Sequence, residues 1–188
     1  MIITISGNPG SGKSTVAKIL VARLGYERIY AGGIMRQMAN EKGIVLEELM
    51  EQAKTNPQID TEVDSRVAAE ARKYEQDGKD VIVEGRVQYH FLPESKKVYV
   101  FVDPRAGAER IWKDLQDKEA SAARNQAVAA STDEVIANND HREEQDAQRY
   151  IKLYGTDYRK KENYDFVVNT TKITAEQAAD KVEEFIIN

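Results

Sequence analysis

Residues Gly7-Asn8-Pro9-Gly10-Ser11-Gly12-Lys13-Ser14 carry the spacing G-x-x-x-x-G-K-[ST]. That spacing has a physical purpose. Glycines let successive backbone N–H groups turn inward and form a concave anion nest. A helix starting there adds the positive end of its dipole. Lys13 brings a point charge to the β- and γ-phosphates of a nucleoside triphosphate, and Ser14 offers a hydroxyl ligand to Mg²⁺. A GTPase would also need D-x-x-G and N-K-x-D, and neither occurs. Large motor ATPases are excluded by the length of 188 residues. Kinases of small molecules remain, and they need a second anion site facing the first.

The stretch richest in suitable side chains is Arg142-Glu143-Glu144-Gln145-Asp146-Ala147-Gln148-Arg149. On a helix, Arg142, Asp146 and Arg149 stand at i, i+4 and i+7 and share one face. Two guanidiniums flanking a carboxylate can grip phosphate oxygens and ribose hydroxyls together. The same spacing builds an exposed ion-pair ladder, and on spacing alone the ladder is the commoner outcome. Arg36 lies one turn inside the glycine-led start Ala31-Gly32-Gly33, a position that suits phosphate contact and plain solvation equally. Arg86 follows a strand through Gly85. Strand C-terminal ends border the ligand crevice in parallel α/β sheets, so Arg86 is an anion-contact candidate, with a surface loop residue as the alternative. Glu84, at the same strand end, is a candidate to hold a Mg²⁺-bound water, or a structural carboxylate.

Those side chains need elements to hold them. Met1–Ser6 reads as a buried strand, Lys13–Leu24 as a helix stopped by Gly25, and Glu27–Tyr30 as a short strand. Helices are predicted over Ile34–Asn40, Leu46–Lys54 and Thr61–Gln76, broken at Gly43, Asn56-Pro57 and Gly78. Asp80–Glu84 and Lys97–Val102 read as strands, and Asp103-Pro104 as an N-cap and first helical position. Ser131 and Glu134 form a candidate capping box for a long helix to Tyr154. Asp165–Asn169 reads as a last strand, and Thr174 with Gln177 caps a closing helix. This alternation predicts an α/β fold, a mostly parallel five-stranded sheet flanked by helices. One domain spans 1–188, with two excursions, 31–79 and 104–140, as candidate flaps over a site. Trp112, Tyr150 and Tyr154 read as packing residues, and His90 and His141 as ordinary surface or loop histidines. Glu119–Ala130 has the lowest complexity, and residues 120–130 read as a mobile lid helix.

The chain has 27 Lys+Arg against 32 Asp+Glu, a formal charge of −5. Extended nucleic acid and anionic membranes find no bulk attraction there. With no cysteine, disulfides, thiolate chemistry and Cys-based zinc sites are impossible. Two histidines are too few for a His-rich metal site. No signal peptide is readable and no apolar stretch approaches the ~20 residues of a membrane span. A cytoplasmic monomer is expected.

Taken in order, GNPGSGKST, AGGIMR, VEGR, REEQDAQRY and YDFVVNT resemble the cytidylate kinases, within the nucleoside monophosphate kinases, nearly end to end. The RYIKLYGTD stretch is most similar to the short archaeal-type enzymes, and REEQDAQR to the bacterial R-x-x-x-D-x-x-R signature. The resemblance implies a three-layer P-loop fold with strand order 2-3-1-4-5. It implies reversible phosphoryl transfer from ATP, with Mg²⁺, to CMP or dCMP. Gly7, Asn8, Pro9, Gly10, Ser11, Gly12, Lys13, Ser14 and Thr15 would bind ATP. Arg36, Arg86, Arg142 and Arg149 would contact the acceptor monophosphate and the phosphoryl in flight, and Asp146 the acceptor ribose. Lys13, Arg142 and Arg149 are then the catalytic candidates. Residues 31–79 would take the acceptor and 104–140 would form the lid.

The chain also departs from the bacterial pattern. There D-G-R continues with an Asp used on the cytosine ring; here Val87 follows Arg86. The bacterial Ser before the glycine of the second motif is Ala31, as in the archaeal enzymes. Arg110 and Lys113 stand at the start of the lid, but Asp114 follows, and Arg124 is the candidate lid arginine. Two alternatives stay open. One is the same fold acting on UMP, AMP or another small acceptor. The other is a nucleotide-binding regulatory module without turnover.

Overall fold

The run Ile2–Gly7 is buried at every position, as a strand covered on both faces must be. In the computed structural model, which describes residues 1–116 and 129–188 apart from the side chains of Leu46, Glu47 and Lys54, this run is β1, the central strand. Four more strands follow: β2 (Glu27–Tyr30), β3 (Val81–Glu84), β4 (Lys96–Phe101) and β5 (Phe166–Asn169). All pair in parallel, in the order β2-β3-β1-β4-β5. The order matches the expectation, and the sheet is parallel throughout.

The described helices are α1 (Lys13–Leu24), α2 (Ala31–Glu41), α3 (Leu46–Thr55), α4 (Pro57–Gln76), α5 (Gln88–Phe91), α6 (Pro104–Gln116), α7 (Thr132–Tyr154) and α8 (Ala175–Ile187). Side chains alternate across the sheet. Ile3 and Ile5 pack with Val16 and Leu20 of α1 and with Val182 and Ile186 of α8. Ile2, Val81 and Val83 face the other way, against Met38 of α2, Leu49 of α3, and Val63 and Val67 of α4. The result is a three-layer sandwich. Beyond β4, Tyr99 packs with Tyr89 of α5, Ala147 and Tyr150 of α7, and Tyr158 and Tyr164. Trp112 joins Ala108, Ile111 and Val135 where α6 meets α7.

Several boundaries differ from the sequence reading for identifiable reasons. Asn56-Pro57 breaks the chain between α3 and α4 as expected, and it also opens α4. Asn56 Oδ1 accepts from Gln58 N at 3.1 Å, and Pro57 takes the first helical position, where a missing N–H costs nothing. α4 therefore starts a turn early and brings Asp60 under cover. α2 runs straight on from β2, so Gly32 and Gly33 lie inside it. α5 was not foreseen. Asp103 caps α6 as expected, accepting from Arg105 N and Ala106 N at 3.0 and 3.2 Å. Only half of the expected box forms on α7. Ser131 Oγ accepts from Glu134 N at 3.2 Å, but Glu134 reaches back to Ala130 N at 2.7 Å. Thr174 and Gln177 form the full box on α8. His90 and His141 are exposed, as expected. Arg124 and residues 117–128 of the Ala-rich stretch lie outside the described residues. Among the described residues no helix is long and apolar enough to cross a membrane.

Candidate active site

β1 delivers the chain to the phosphate loop at its C-terminal end. Gly10 and Gly12 adopt φ of 75° and 83° there, a region closed to most side chains. Gly10 has a second constraint: a Cβ on it would stand 2.3 Å from Gly107 O in α6. A Cβ on Gly107 would in turn stand 2.8 Å from Pro9 O. Two glycines thus allow loop and helix to touch backbone to backbone.

The loop is clasped from outside. Asn8 Nδ2 donates to Val102 O at 2.8 Å and Asn8 Oδ1 accepts from Val102 N at 2.9 Å. Thr170, at the end of β5, donates from Oγ1 to Ser11 O at 2.9 Å. Arg110 donates to Thr170 O at 2.5 Å and to Gly10 O at 3.4 Å. Clasped carbonyls leave the inner wall of the turn to N–H groups, which is the requirement of an anion nest. Gly12 caps α1 without a side-chain hydrogen bond, so the first N–H groups of α1 are left to a ligand. Lys13 and Ser14 are half-buried in that first turn and Thr15 is exposed.

A second cluster forms beside the loop, where Arg86 after β3 meets α7. Asp146 is its centre. Arg86 Nη2 lies 3.0 Å from Asp146 Oδ2, Arg149 Nη2 lies 3.0 Å from Oδ1, and Arg142 Nε lies 3.9 Å from Oδ2. The helical spacing has therefore built a partly buried cluster, where the alternative was an exposed ladder. Burial opposes the charge on Arg86, but Asp146, with Tyr150 and Tyr158, outweighs it and raises the pKa. Arg149 behaves likewise: burial opposes its charge, and Tyr150, Asp60 and Asp146 outweigh it. The Arg86 guanidinium also lies 5.7 Å from the ring centre of Tyr158, a fully buried residue.

Arg36 is not joined to this cluster by an ion pair among the described residues. It is exposed, 3.5 Å from Gly32 O and 5.9 Å from the centre of the Tyr30 ring. Glu84 is fully buried at the end of β3 and pairs with Arg28 of the neighbouring strand. That pairing is the structural role weighed for it, yet its Oε2 has no hydrogen-bond partner among the described residues.

Two further carboxylates were not singled out from the sequence. Asp60 and Asp64, one turn apart on α4, are each 5% exposed. Arg149 Nε lies 3.4 Å from Asp60 Oδ2. Asp64 accepts from Gln88 Nε2 at 2.8 Å and from Tyr154 OH at 2.9 Å. Burial pushes Asp64 up to about 7, which its two donors only partly offset. Tyr154 was expected to pack, and it does, but its hydroxyl also reaches this carboxylate. The available signal was the pair of acids at i, i+4 on the polar side of an otherwise apolar-periodic helix.

A fully parallel sheet in the order β2-β3-β1-β4-β5, with a glycine-rich loop after its central strand, is the arrangement of the P-loop kinases. Solved structures agree on the fold. The protein resembles shikimate kinase from Bacteroides thetaiotaomicron at TM-score 0.62 and 16% identity, over 100% of this chain and 99% of that one. It resembles an uncharacterized protein from Eubacterium ventriosum at TM-score 0.71 and 13% identity, over 100% and 99%. The chain belongs to the cytidylate kinase-like family, whose pattern it matches over residues 2–172. It is 37% identical to the cytidylate kinase of Archaeoglobus fulgidus over 94% of this chain and 89% of that one. It is 36% identical to the cytidylate kinase of Methanothermobacter thermautotrophicus over 94% and 99%.

Proposed function

We propose that the protein is an ATP-dependent kinase that transfers the γ-phosphoryl group to CMP or dCMP, giving ADP and CDP or dCDP. The observation that carries this reading is the pairing of two anion sites at adjacent strand ends. The clasped loop after β1 suits a triphosphate, and the Arg86–Asp146–Arg149 cluster after β3 suits a monophosphate. Gly7 through Thr15 take the donor phosphates, with Lys13 on the β- and γ-oxygens. Arg86, Arg142 and Arg149 take the acceptor phosphate and the charge that develops during transfer. Asp146 holds these guanidiniums in place before substrate arrives and then shares them with it. The ribose contact expected of Asp146, and the phosphate contact expected of Arg36, belong to the same proposal. Residues 31–79 receive the acceptor and 104–140 cover the donor.

An oxygen of the acceptor monophosphate attacks the γ-phosphorus in line, and the bond to the β–γ bridging oxygen breaks, leaving ADP. The acceptor is already largely a dianion near neutral pH, so no strong general base is needed. Catalysis is positioning and charge neutralisation. Mg²⁺ fits the residues present: Ser14 would ligate it, and the unpartnered Glu84 Oε2 would accept from one of its waters. When bound, the ion neutralises charge on the donor phosphates.

Coupled ADP release, measured with and without CMP, tests this against the alternative of a binding module. Turnover that depends on CMP is expected. ADP release that no monophosphate stimulates contradicts it.

A further inference from the structure

Beyond the arginine layer, three elements place a second polar layer against the acceptor cluster. Asp64 is one turn past Asp60 on α4, Tyr154 is one turn past Tyr150 on α7, and Gln88 is two residues past Arg86. One turn is about 5.4 Å, so this layer lies next to the guanidiniums. Its hydrogen-bonding balance is uneven. The Gln88 amide and the Tyr154 hydroxyl both donate to Asp64, at 2.8 and 2.9 Å. Each Asp64 oxygen keeps a lone pair after that, and Gln88 Oε1 has no hydrogen-bond partner among the described residues, although Gln88 is only 3% exposed. With Asp64 ionised, as it is above about pH 7, the orientation of the amide follows from its neighbour, because a carboxylate only accepts hydrogen bonds.

Gly85 makes this placement possible. A Cβ there would stand 1.6 Å from Gln88 Oε1, so the amide occupies the space that a side chain at the strand end would fill. Val87, which follows Arg86, is fully buried in the tyrosine cluster and unavailable to a ligand. A buried amide oxygen without a partner beside a buried carboxylate is a costly arrangement for folding alone. It is complementary to a donor.

We infer that Asp64 and Gln88 read the exocyclic amine of the acceptor base, and that this pair selects a 4-amino pyrimidine over a 4-oxo one. The inference rests on the acceptor assignment proposed above. The amine of cytosine offers two hydrogens to acceptors that have capacity for them. Uracil in the same pose turns O4 toward the same acceptors, leaving unpaired acceptors face to face. Tyr154 is a positioning residue here, holding the Asp64 carboxylate through its hydroxyl.

The test compares kcat/KM for CMP and UMP in the wild type, Asp64→Asn and Gln88→Ala at pH 8. The CMP-to-UMP ratio is expected to fall about tenfold or more in each variant, chiefly through a raised KM for CMP. A purely structural role lowers both substrates by the same factor and leaves the ratio unchanged, which overturns the inference. Should the variants fail to fold, the wild type decides it alone. CMP is compared with the monophosphate of the 4-deamino pyrimidinone riboside, and a loss of about tenfold or more is expected; equal efficiency overturns it. A wild type that does not favour CMP overturns the acceptor assignment and this inference together. A wild type that favours CMP, with variant ratios unchanged, overturns this inference only.

Discussion

Asp146 gathers three guanidiniums within 3.9 Å of its two oxygens, and like charges so placed repel without it. Asp146→Ala should therefore raise the KM for the acceptor and lower Tm, and an unchanged acceptor KM would contradict its role. The proposed function puts Lys13 where charge develops. Lys13→Ala is expected to reduce turnover by about 10³-fold, the scale of one preorganised donor at a transition state, with an unchanged circular dichroism spectrum. Asp64 carries a stability cost with a definite sign. Burial pushes it up to about 7 against the opposing Tyr154 hydroxyl, Gln88 amide and Arg149 charge, with Asp60 adding to the rise. In the unfolded chain it titrates near 3.9. Between those values the folded state holds a proton that the unfolded state has released, so stability falls as pH rises through that window. Above it the cost is on the order of 4 kcal/mol. Asp64→Asn, which cannot titrate, should lose less Tm than the wild type between pH 5 and pH 8; equal losses would contradict the assignment. The arginines and Asp146 were legible in the sequence because their spacing fits one helix face. Asp60 and Asp64 were not, because α4 is covered on two sides. Its apolar stripe meets the sheet, and the side that reads as solvated meets Arg149 of α7 and Gln88 of α5.

At the level of elements, the phosphate loop depends on parts far away in sequence. Thr170, just past β5, and Gly107 on α6 both touch it, and neither is near residues 7–15. Thr170→Val removes the donor to Ser11 O and leaves a buried carbonyl unpaired. It should cost about 1–2 kcal/mol and raise the KM for ATP more than that for the acceptor, as urea denaturation and steady-state kinetics would measure. Gly107→Ala places a methyl 2.8 Å from Pro9 O and 2.9 Å from Val102 Cγ1, so it should weaken ATP binding while the helix itself persists. Strands, α1 and the closing helix were readable from apolar period and caps. The break at Asn56-Pro57 was legible, but the start of α4 was placed at Thr61, because only the Asn56 hydrogen bond to Gln58 N shows that the helix begins at Pro57. Arg110 read as a lid residue from the family resemblance, but its partners, Thr170 just past β5 and Gly10 of the loop, are visible only in three dimensions.

For the whole molecule the formal charge is −5, while Arg86, Arg142 and Arg149 gather around Asp146 beside the loop that carries Lys13. A net-negative protein can therefore still group basic side chains locally, as the proposed binding of two small polyanions requires. If loop and cluster are two walls of one crevice, two nucleosides joined by a chain of phosphates should span them. Such a ligand should raise Tm more than ATP and CMP added together at matched concentrations, because joining them makes the second contact intramolecular; a shift no larger than that of ATP alone would place the sites apart. The fold alone does not name the acceptor, since shikimate kinase shares it at 16% identity. The most direct measurement is kcat/KM for ATP-dependent phosphorylation of CMP, dCMP, UMP and AMP side by side. CMP or dCMP should be the best acceptor, with ADP formed in step with the diphosphate product. A higher kcat/KM for UMP or AMP, or no acceptor-dependent ADP at all, would contradict the account.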